Sequence, residues 1–347
     1  VGMVNRIING DMRVDQRNAG ASVTPTYNSY GLDRWSFPVE QASKLTTQQS
    51  STAPVGFTNS MLITSSSSYA VGVSDYFSVQ QKIEGYNIAD LGFGTANARA
   101  ITLSFWVQSS LTGTFGGVIG NYNGSRNYPF TYSVSSANTW TYISVTVAGD
   151  TSGTWLTTNG VGLNVIFGLG AGANWSGTAG AWTGTQAFSA TGATSVVGTS
   201  GATFYLTGVQ LEKGSTATDF EYVDYGRQLQ QCQRYFEMSF SQGTTPADGV
   251  NNGNAGATAA CFSSSGARVN TKFSVTKRAN PTVVTYRGSN GGTNGQWSYY
   301  DGSSWVTFGA SSVQASQTQY SNDVAPSGRA FGQALIVDGN WTASAEL

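Results

Sequence analysis

Histidine is absent from this chain of 347 residues, and cysteine occurs only at Cys232 and Cys261. Without an imidazole, the Ser-His-Asp and Cys-His catalytic arrangements and every histidine-ligated zinc site are excluded. Two cysteines far apart in the sequence are too few for a disulfide framework and do not make a zinc site. A single bridge stays open, but a pair of small buried thiols is the more typical arrangement.

Charge is also scarce, since Asp, Glu, Lys and Arg make up 10% of the residues, against roughly 25% in an ordinary soluble domain. The net charge is −1 and no Lys/Arg cluster is visible, so counterion release offers no drive toward nucleic acid. The longest apolar stretch, residues 161–169, is interrupted by Gly and Asn and falls well short of the roughly 18 residues of a membrane span. We therefore expect no nucleic-acid partner and no membrane insertion, and the opening residues do not predict a signal peptide.

Glycine, serine, threonine and aromatic residues are abundant instead. Short β-branched and aromatic runs alternate with Gly/Ser/Thr-rich turns, a pattern typical of antiparallel sandwiches and barrels. In residues 100–107 the apolar side chains alternate with polar ones, as in a half-buried strand. Residues 139–147 alternate in the same way through Trp140 and Tyr142, or through Ile143 after a one-residue slip. Trp106 and Trp140 are expected to fill a core.

The length favours two domains over one. We predict an all-β chain, in which a jelly-roll β-sandwich (residues 1–224) precedes a helical junction (225–242) and a second, smaller β-sandwich (243–347). The junction is predicted from Leu229, Cys232 and Phe236, which recur at the spacings of three and four that mark one face of a helix. These three side chains either form a three-stranded seam between copies of the chain or cover a sandwich edge within one chain.

Aromatic side chains are the best candidates for a functional role. The nine Trp and 17 Tyr residues offer flat apolar faces that can stack on the C–H faces of sugar rings. The candidates in loop-like contexts are Tyr122, Tyr128, Trp175, Trp182, Trp297, Tyr299, Tyr300 and Trp305. Core packing is the competing explanation for each of them. Glycoside hydrolysis needs only two carboxylates and stays open in principle, but we predict no catalytic residue, no metal and no cofactor.

Several stretches together resemble one family, the bacteriophage tail-fibre and virion appendage proteins that carry a carbohydrate-binding-module-like jelly roll. In that family an N-terminal "INGDF…QR" strand is paired with a later "DRW" motif. The stretches that carry the resemblance are NRIINGDMRVDQR (5–17), LDRWSF (32–37), LSFWV (103–107) with TWTY (139–142), GDT (149–151) and Trp155, VQLEKGSTATDFE (209–221), CQRYFE (232–237), KRANPT (277–282) and NWTASAEL (340–347).

This resemblance implies a non-enzymatic protein of the virion surface that adheres to a host surface glycan or receptor during adsorption. Members are commonly homotrimers and contact other virion proteins. Their jelly rolls often hold a structural calcium, and Asp11 and Glu212 are the residues nearest the corresponding places. Two alternatives stay open: a capsid or tail decoration protein, cement protein or head fibre with a structural role, and a tailspike glycosidase, whose regular β-helix repeats are not visible here.

Overall fold

The computed structural model describes residues 3–250, 257–290, 292–308 and 312–347. The chain divides into two compact units. Unit 1 contains residues 1–15, 20–228 and 347, and unit 2 contains residues 16–19 and 229–346. The division falls within the one α-helix of the described residues, α1 (Tyr225–Gln233).

Strands account for nearly all of the other regular structure, so the prediction of an all-β fold is confirmed. Short 3-10 turns occur at Gly85–Asn87, Ala89–Leu91 and Ala173–Trp175. The strands of unit 1 are β1 (Ser29–Leu32), β2 (Trp35–Phe37), β3 (Leu45–Ser50), β4 (Ser60–Ser65), β5 (Tyr76–Glu84), β6 (Ile101–Ser109), β7 (Gly113–Gly120), β8 (Asn127–Val134), β9 (Thr141–Val147), β10 (Val161–Ala171), β11 (Ser176–Gly177), β12 (Ser189–Ala190) and β13 (Thr203–Lys213). Those of unit 2 are β14 (Phe236–Met238), β15 (Ala257–Ser263), β16 (Gly266–Lys272), β17 (Thr282–Arg287), β18 (Ser298–Tyr300), β19 (Trp305–Thr307), β20 (Ser312–Ala315), β21 (Gln319–Val324) and β22 (Ala334–Ser344).

Two antiparallel sheets form the jelly roll of unit 1. One has the strand order β1-β2-β5-β10-β7-β8 and the other has the order β3-β4-β13-β6-β9. Alternating side chains of both sheets are buried in one continuous hydrophobic core, as expected where two sheet faces interdigitate. The non-consecutive neighbours β13-β6 and β10-β7 show that the chain crosses repeatedly between the sheets, which is the hallmark of a jelly roll.

The strand β6 follows its predicted alternation, with Ile101, Leu103, Phe105 and Val107 all fully buried. The neighbouring strand β9 follows the alternation shifted by one residue, so Ile143 rather than Tyr142 packs against the core. The expectation that Trp106 and Trp140 fill the core is wrong. Because strand side chains alternate, Trp106 projects from the opposite face to Phe105, and Trp140 is half-exposed next to Tyr205.

The N-terminal stretch is not the strand that its family resemblance implied. Residues 6–12 are buried without forming a ladder, so side chains bond backbone groups that a sheet would otherwise pair. The Gln81 carboxamide bonds both the amide and the carbonyl oxygen of Ile8 at 2.8 Å, and the Asn9 side chain ties the stretch to Val14 and Asp33. The Asn9 amide group donates to the carbonyl oxygens of Val14 (2.8 Å) and Asp33 (3.1 Å), while its Oδ1 accepts from the Val14 amide (2.9 Å). The backbone oxygen of Asn9 accepts from the indole of Trp35 at 3.0 Å. The "INGD" and "DRW" motifs therefore meet at Asn9.

At position 10, next to Asn9, the neighbouring strand leaves room for glycine only. A Cβ at Gly10 would lie 2.1 Å from the backbone oxygen of Val209, far inside van der Waals contact. The backbone amide of Val209 in turn donates to the Gly10 oxygen at 2.9 Å. The N-terminal stretch thus lies directly against β13, and only glycine allows that approach.

Replacing Asn9 with alanine should destabilise unit 1 by about 3 kcal/mol, because several buried backbone groups lose their partners and alanine is strained at the Asn9 φ of 57°. Asn138→Ala is the matched control, since Asn138 is exposed and has a φ of 54°. It should show only the backbone cost of about 1 kcal/mol. Urea unfolding followed by tryptophan fluorescence measures both, and equal losses would refute the role of the Asn9 side chain.

Unit 2 is organised around its last strand. The first half of β22 pairs with β15 and β18, and its second half pairs with β14 and β17. The described strands extend outward in the order β19-β18-β22-β15-β16-β21-β20. The core beneath them is aromatic, with Trp297, Tyr320 and Trp341 all buried and the rings of Tyr320 and Trp341 5.4 Å apart.

A buried ion pair between Glu237 and Lys277 lies beside this core, with side-chain exposures of 4% and 0%. The Lys277 ammonium also donates to the backbone oxygens of Gln233 (2.6 Å) and Val275 (3.1 Å), and Glu237 accepts from the backbone amide of Ser274 at 2.9 Å. Burial lowers the pKa of Lys277, and the carboxylate of Glu237 opposes that shift. The pair joins the "CQRYFE" and "KRANPT" stretches.

Lys277→Met should destabilise unit 2 by about 3–5 kcal/mol, because the substitution leaves the Glu237 carboxylate buried without its counter-charge. Adding Glu237→Gln in the same chain should recover much of that loss. Lys272→Met, at an exposed lysine of β16, is the control and should stay within about 0.5 kcal/mol of the parent. Thermal and urea denaturation report the changes, and a Lys277→Met chain as stable as the parent would contradict the proposed role of the pair.

Candidate functional site

The outer face of the sheet β3-β4-β13-β6-β9 carries a cleft of about 430 Å³. We name it the aromatic cleft because four of its lining side chains are aromatic. Its lining residues are Phe57, Ser104, Trp106, Tyr142, Gly208, Ala217, Thr218, Asp219 and Phe220. All of them belong to unit 1.

Trp106 and Tyr142 form one part of the lining. They are direct cross-strand partners on β6 and β9, and their ring centroids are 5.3 Å apart with planes tilted by 54°. Tyr142 keeps 45% of its surface exposed, so its ring is open to solvent. Ser104, two residues before Trp106, adds a hydroxyl group on the same face of β6.

A bulge in β13 lets a second aromatic pair approach. The pairing of β13 with β6 shifts register between Thr207 and Gln210, and Gly208 within the shift has a φ of 60°. A Cβ at Gly208 would lie 2.8 Å from the Phe57 ring and 3.1 Å from the Trp106 ring. Phe57 in turn packs edge-on against Phe220 at 5.2 Å. The bare backbone at Gly208 therefore lets Phe57 and Trp106 come close to the same point of the sheet.

The segment 214–221, which follows β13, forms one wall of the cleft. Glu212 anchors it by accepting hydrogen bonds from the Thr218 backbone amide (3.0 Å) and hydroxyl (2.8 Å). Gln210 holds it further along, because its Oε1 accepts from the Glu221 amide at 2.8 Å and its amide group donates to the Asp219 carbonyl at 3.3 Å. These bonds place Thr218, Asp219 and Phe220 along the cleft.

The cleft combines four aromatic rings with a few polar groups from Ser104, Thr218 and Asp219. Ring faces bind the apolar faces of a flat ligand, and hydroxyl and carboxylate groups satisfy its hydroxyls. Among the described residues that line the cleft, Asp219 alone carries a carboxylate. Glycoside hydrolysis uses a pair of carboxyl groups on either side of the scissile bond, which this lining does not supply.

The predicted aromatic candidates of unit 1 lie elsewhere. Trp182 packs edge-on against Tyr128 (5.4 Å) and Trp155 (5.5 Å), and its indole donates to the Ala148 oxygen. Trp175 packs against Phe188 at 5.6 Å, with its indole bonded to the Ser74 oxygen. These three side chains are partly buried and pack against neighbouring rings. Tyr122 is different, since it is 41% exposed in the turn between β7 and β8.

In unit 2 the four candidates divide into two pairs. Trp297 and Tyr299 are each 2% exposed within the core, so the expectation that they stack on a ligand is wrong. Gly339 leaves space for the Trp297 ring, since a Cβ at Gly339 would lie 2.0 Å from it. Tyr299 packs beside Phe308 at 5.1 Å. Tyr300 and Trp305 are cross-strand partners with rings 5.6 Å apart, and Tyr300 is 39% exposed.

Only two of the three residues of the predicted apolar stripe lie in the helix. Leu229 and Cys232 belong to α1, but the helix ends at Gln233 and Phe236 lies in β14. Phe236 is recruited into the sheet by its pairing with Ser344, and the Arg17 guanidinium lies 3.8 Å from its ring centroid. Cys232 and Cys261 are buried thiols that form no disulfide, as the sequence favoured. A seam between copies of the chain stays a prediction.

The described residues contain no group of three His, Cys, Asp or Glu side chains that could hold a metal. Both carboxylates that the family resemblance placed near a calcium bond protein groups: Asp11 accepts from Arg13 and from the Gln228 amide, and Glu212 anchors the cleft wall. No helix among these residues has the length and apolar character needed to cross a membrane.

Sequence reasoning missed the aromatic cleft because it assigned Trp106 to the core. The alternation that places Phe105 and Val107 inside already requires Trp106 to face outward, so that signal was present. Phe57 and Phe220 carry no comparable signal. They lie in loops 163 positions apart and meet only in the folded chain.

No protein-family model and no curated protein matches this sequence. Solved structures match it weakly. The tailspike protein 4 enzymatically active domain of bacteriophage CBA120 is 12% identical, covers 60% of this chain and 21% of its own, and has a TM-score of 0.34. This chain therefore matches about a fifth of that structure's length.

Two other similar structures are carbohydrate-binding modules. One, in complex with β-1,4-galactotriose, is 9% identical, covers 61% of this chain and 99% of its own, and has a TM-score of 0.31. A family 11 module from Clostridium thermocellum, in complex with a mixed-linked tetrasaccharide, is 13% identical, with coverage of 56% and 98% and a TM-score of 0.29.

Gly208→Ala should disrupt the aromatic cleft, because the new methyl group displaces the rings of Phe57 and Trp106 and the residue is strained at positive φ. We expect a loss of about 2–4 kcal/mol in unfolding free energy, with a changed near-ultraviolet circular dichroism signal. Gly201→Ala isolates the backbone cost, since Gly201 has a φ of 73° and no atom within 4 Å of its added Cβ. It should lose only about 1 kcal/mol and keep the spectrum. A Gly208→Ala variant that kept the parent spectrum, as Gly201→Ala should, would contradict the assigned ring contacts.

Proposed function

We propose that the chain is a non-enzymatic glycan-binding protein and that the aromatic cleft of unit 1 is its binding site. The observation that carries this proposal is the pair of half-buried Trp106 and exposed Tyr142 on the outer face of the sheet, facing a wall that supplies Thr218 and Asp219. A sugar ring offers a C–H face to aromatic rings and hydroxyls to polar groups at its edge. The cleft presents both kinds of partner within about 430 Å³, which lies in the usual range of ligand sites.

The position of these rings argues against a purely structural role. An aromatic side chain that only stabilises the fold gains most by full burial, at roughly 25 cal/mol per Å² of apolar surface removed from water. The core of unit 1 already contains buried aromatic residues such as Phe105 and Phe167. Tyr142 instead remains 45% exposed on a sheet face whose other side is packed. With Trp106, Phe57 and Phe220 it forms a contiguous aromatic patch, and exposed apolar patches of this kind are typical of binding sites.

We place this activity on the surface of a bacteriophage particle, in a tail fibre or receptor-binding appendage that adheres to host surface glycans during adsorption. The resemblance of residues 209–221 to the family supports the placement, since this stretch contains Gln210 and Glu212 and builds the cleft wall. A homotrimer in contact with other virion proteins is part of the proposal. A decoration or cement role remains the alternative, and it predicts no glycan binding.

The test is a glycan array that includes host surface polysaccharides, probed with the parent chain and with Trp106→Ala and Tyr142→Ala. Each substitution should weaken binding about 30-fold, which corresponds to the loss of about 2 kcal/mol at a binding hot spot. The controls are Tyr86→Ala, at an exposed tyrosine of unit 1 that lies outside the cleft lining, and Trp305→Ala in unit 2.

Binding that survives in both cleft variants but is lost in Trp305→Ala would move the site to unit 2 and overturn the assignment. A folded parent chain that binds no glycan from the correct host would overturn glycan binding altogether. Circular dichroism of each variant separates loss of binding from loss of folding.

A further inference from the structure

A second cleft lies on the opposite sheet of unit 1, the sheet β1-β2-β5-β10-β7-β8. It measures about 220 Å³, and we name it the amide cleft because side-chain carboxamides dominate its lining. The residues on which its chemistry depends are Tyr27, Gln80, Tyr122, Asn127, Asn164 and Gln186. No residue of the aromatic cleft lines it.

The floor of the amide cleft is set by strand pairing. Asn164 on β10 is opposite Lys82 on β5, and Ile166 is opposite Gln80. Side chains at alternate positions share one face, so these four project together from the outer side of the sheet. Lys82 already donates to the Leu347 carbonyl oxygen at 3.0 Å, and the polar floor therefore consists mainly of carboxamides.

The scaffold holds several of these carboxamides in place by their N–H groups. The Asn127 amide donates to the carbonyl oxygens of Gly124 (2.5 Å) and Thr185 (3.1 Å), and the Asn164 amide donates to the Asn121 oxygen at 3.2 Å. Gly120 leaves room for this arrangement, since a Cβ there would lie 2.7 Å from the Asn127 Oδ1. Side chains fixed in this way are preorganised for a ligand.

Asn164 supplies a direct indication of a missing partner. Its Oδ1 is buried and accepts no hydrogen bond within the part of the chain that the structure describes. A buried acceptor without a donor is costly, and a ligand hydroxyl that reached this oxygen would remove that cost. The rims of the cleft carry Tyr27, which is 65% exposed, and Tyr122, which is 41% exposed.

We infer that the amide cleft is a second saccharide site, which takes a single neutral hexose residue at the end of a glycan. Carboxamides pair with hydroxyl groups as both donors and acceptors, and the rim tyrosines offer faces for the pyranose ring. The cleft is about half as large as the aromatic cleft, which favours a terminal residue over an internal stretch of chain. With both clefts filled, one unit 1 would bind two glycan ends or chains at once, and this bivalence raises the avidity for a dense surface.

The experiment uses the full chain with 3-fluorotyrosine in place of its tyrosines and the methyl glycosides of glucose, galactose, mannose and N-acetylglucosamine as probes. Fluorine NMR then reports on each cleft separately, through Tyr122 for the amide cleft and Tyr142 for the aromatic cleft. Tyr122→Phe and Tyr142→Phe assign the two signals. At least one glycoside should shift the Tyr122 signal saturably at millimolar concentration.

Asn164→Leu removes the buried acceptor and should weaken this shift at least tenfold, while Trp106→Ala should leave it unchanged. Gln186→Ala and Tyr27→Ala alter exposed rim residues and should also weaken it, which covers the case in which Asn164→Leu does not fold. The inference is overturned if no probe shifts the Tyr122 signal, or if the shift in all three amide-cleft variants equals that in the parent chain. Loss of the Tyr142 response alone would refute the aromatic cleft and leave the amide cleft standing.

Discussion

The buried amide of Asn9 is the contact on which the rest of unit 1 depends. It satisfies the backbone of Val14 in a non-repetitive segment whose Ile7 and Met12 lie in the hydrophobic core, and it joins that segment to Asp33 and, through its own carbonyl, to Trp35. Buried backbone groups must find partners somewhere. Because this segment forms no ladder, side chains have to supply those partners: Gln81 bonds the backbone of Ile8 and Asn9 bonds that of Val14. Gly10, next to Asn9, leaves space for β13. The same strand then carries the bulge at Gly208, so the packing of the N-terminus and the shape of the aromatic cleft are linked through β13.

The motifs that resemble virion appendage proteins turn out to be the polar anchors of the fold. Glu237 of "CQRYFE" pairs with Lys277 of "KRANPT", and Arg278 of the latter donates to the carbonyl oxygens of Ala345 and Glu346 in the "NWTASAEL" ending. Glu212 of "VQLEKGSTATDFE" holds the cleft wall. In a chain with so few charges, those that are buried must be paired, because an unpaired buried charge is costly. These four stretches are therefore recognisable for a structural reason, and of the four only "VQLEKGSTATDFE" also shapes a candidate binding site.

The sequence by itself determined the all-β class, the buried face of β6 and the absence of histidine chemistry, and it favoured two buried thiols over a disulfide. These follow from composition and from a period of two along the chain, both of which are local properties. The alternation along β6 also implied that Trp106 faces outward, although Trp106 was expected in the core. The sequence did not determine which aromatic residues stay exposed. Trp297 is buried because Gly339 leaves space for its ring, and Tyr299 is buried beside Phe308 in the core.

Only the tertiary structure decided where the clefts lie. Phe57 meets Phe220, and Gln80 lies beside Asn164, across long sequence separations that no local pattern encodes. The end of α1 at Gln233 was likewise set from outside, since β22 recruits Phe236 into a sheet although its spacing suits a helix. Periodicity reports which face of an element is apolar, whereas a binding site requires particular side chains from several elements to converge. That convergence depends on strand register, on bulges and on glycines at close contacts, and these are fixed only when the whole sheet assembles.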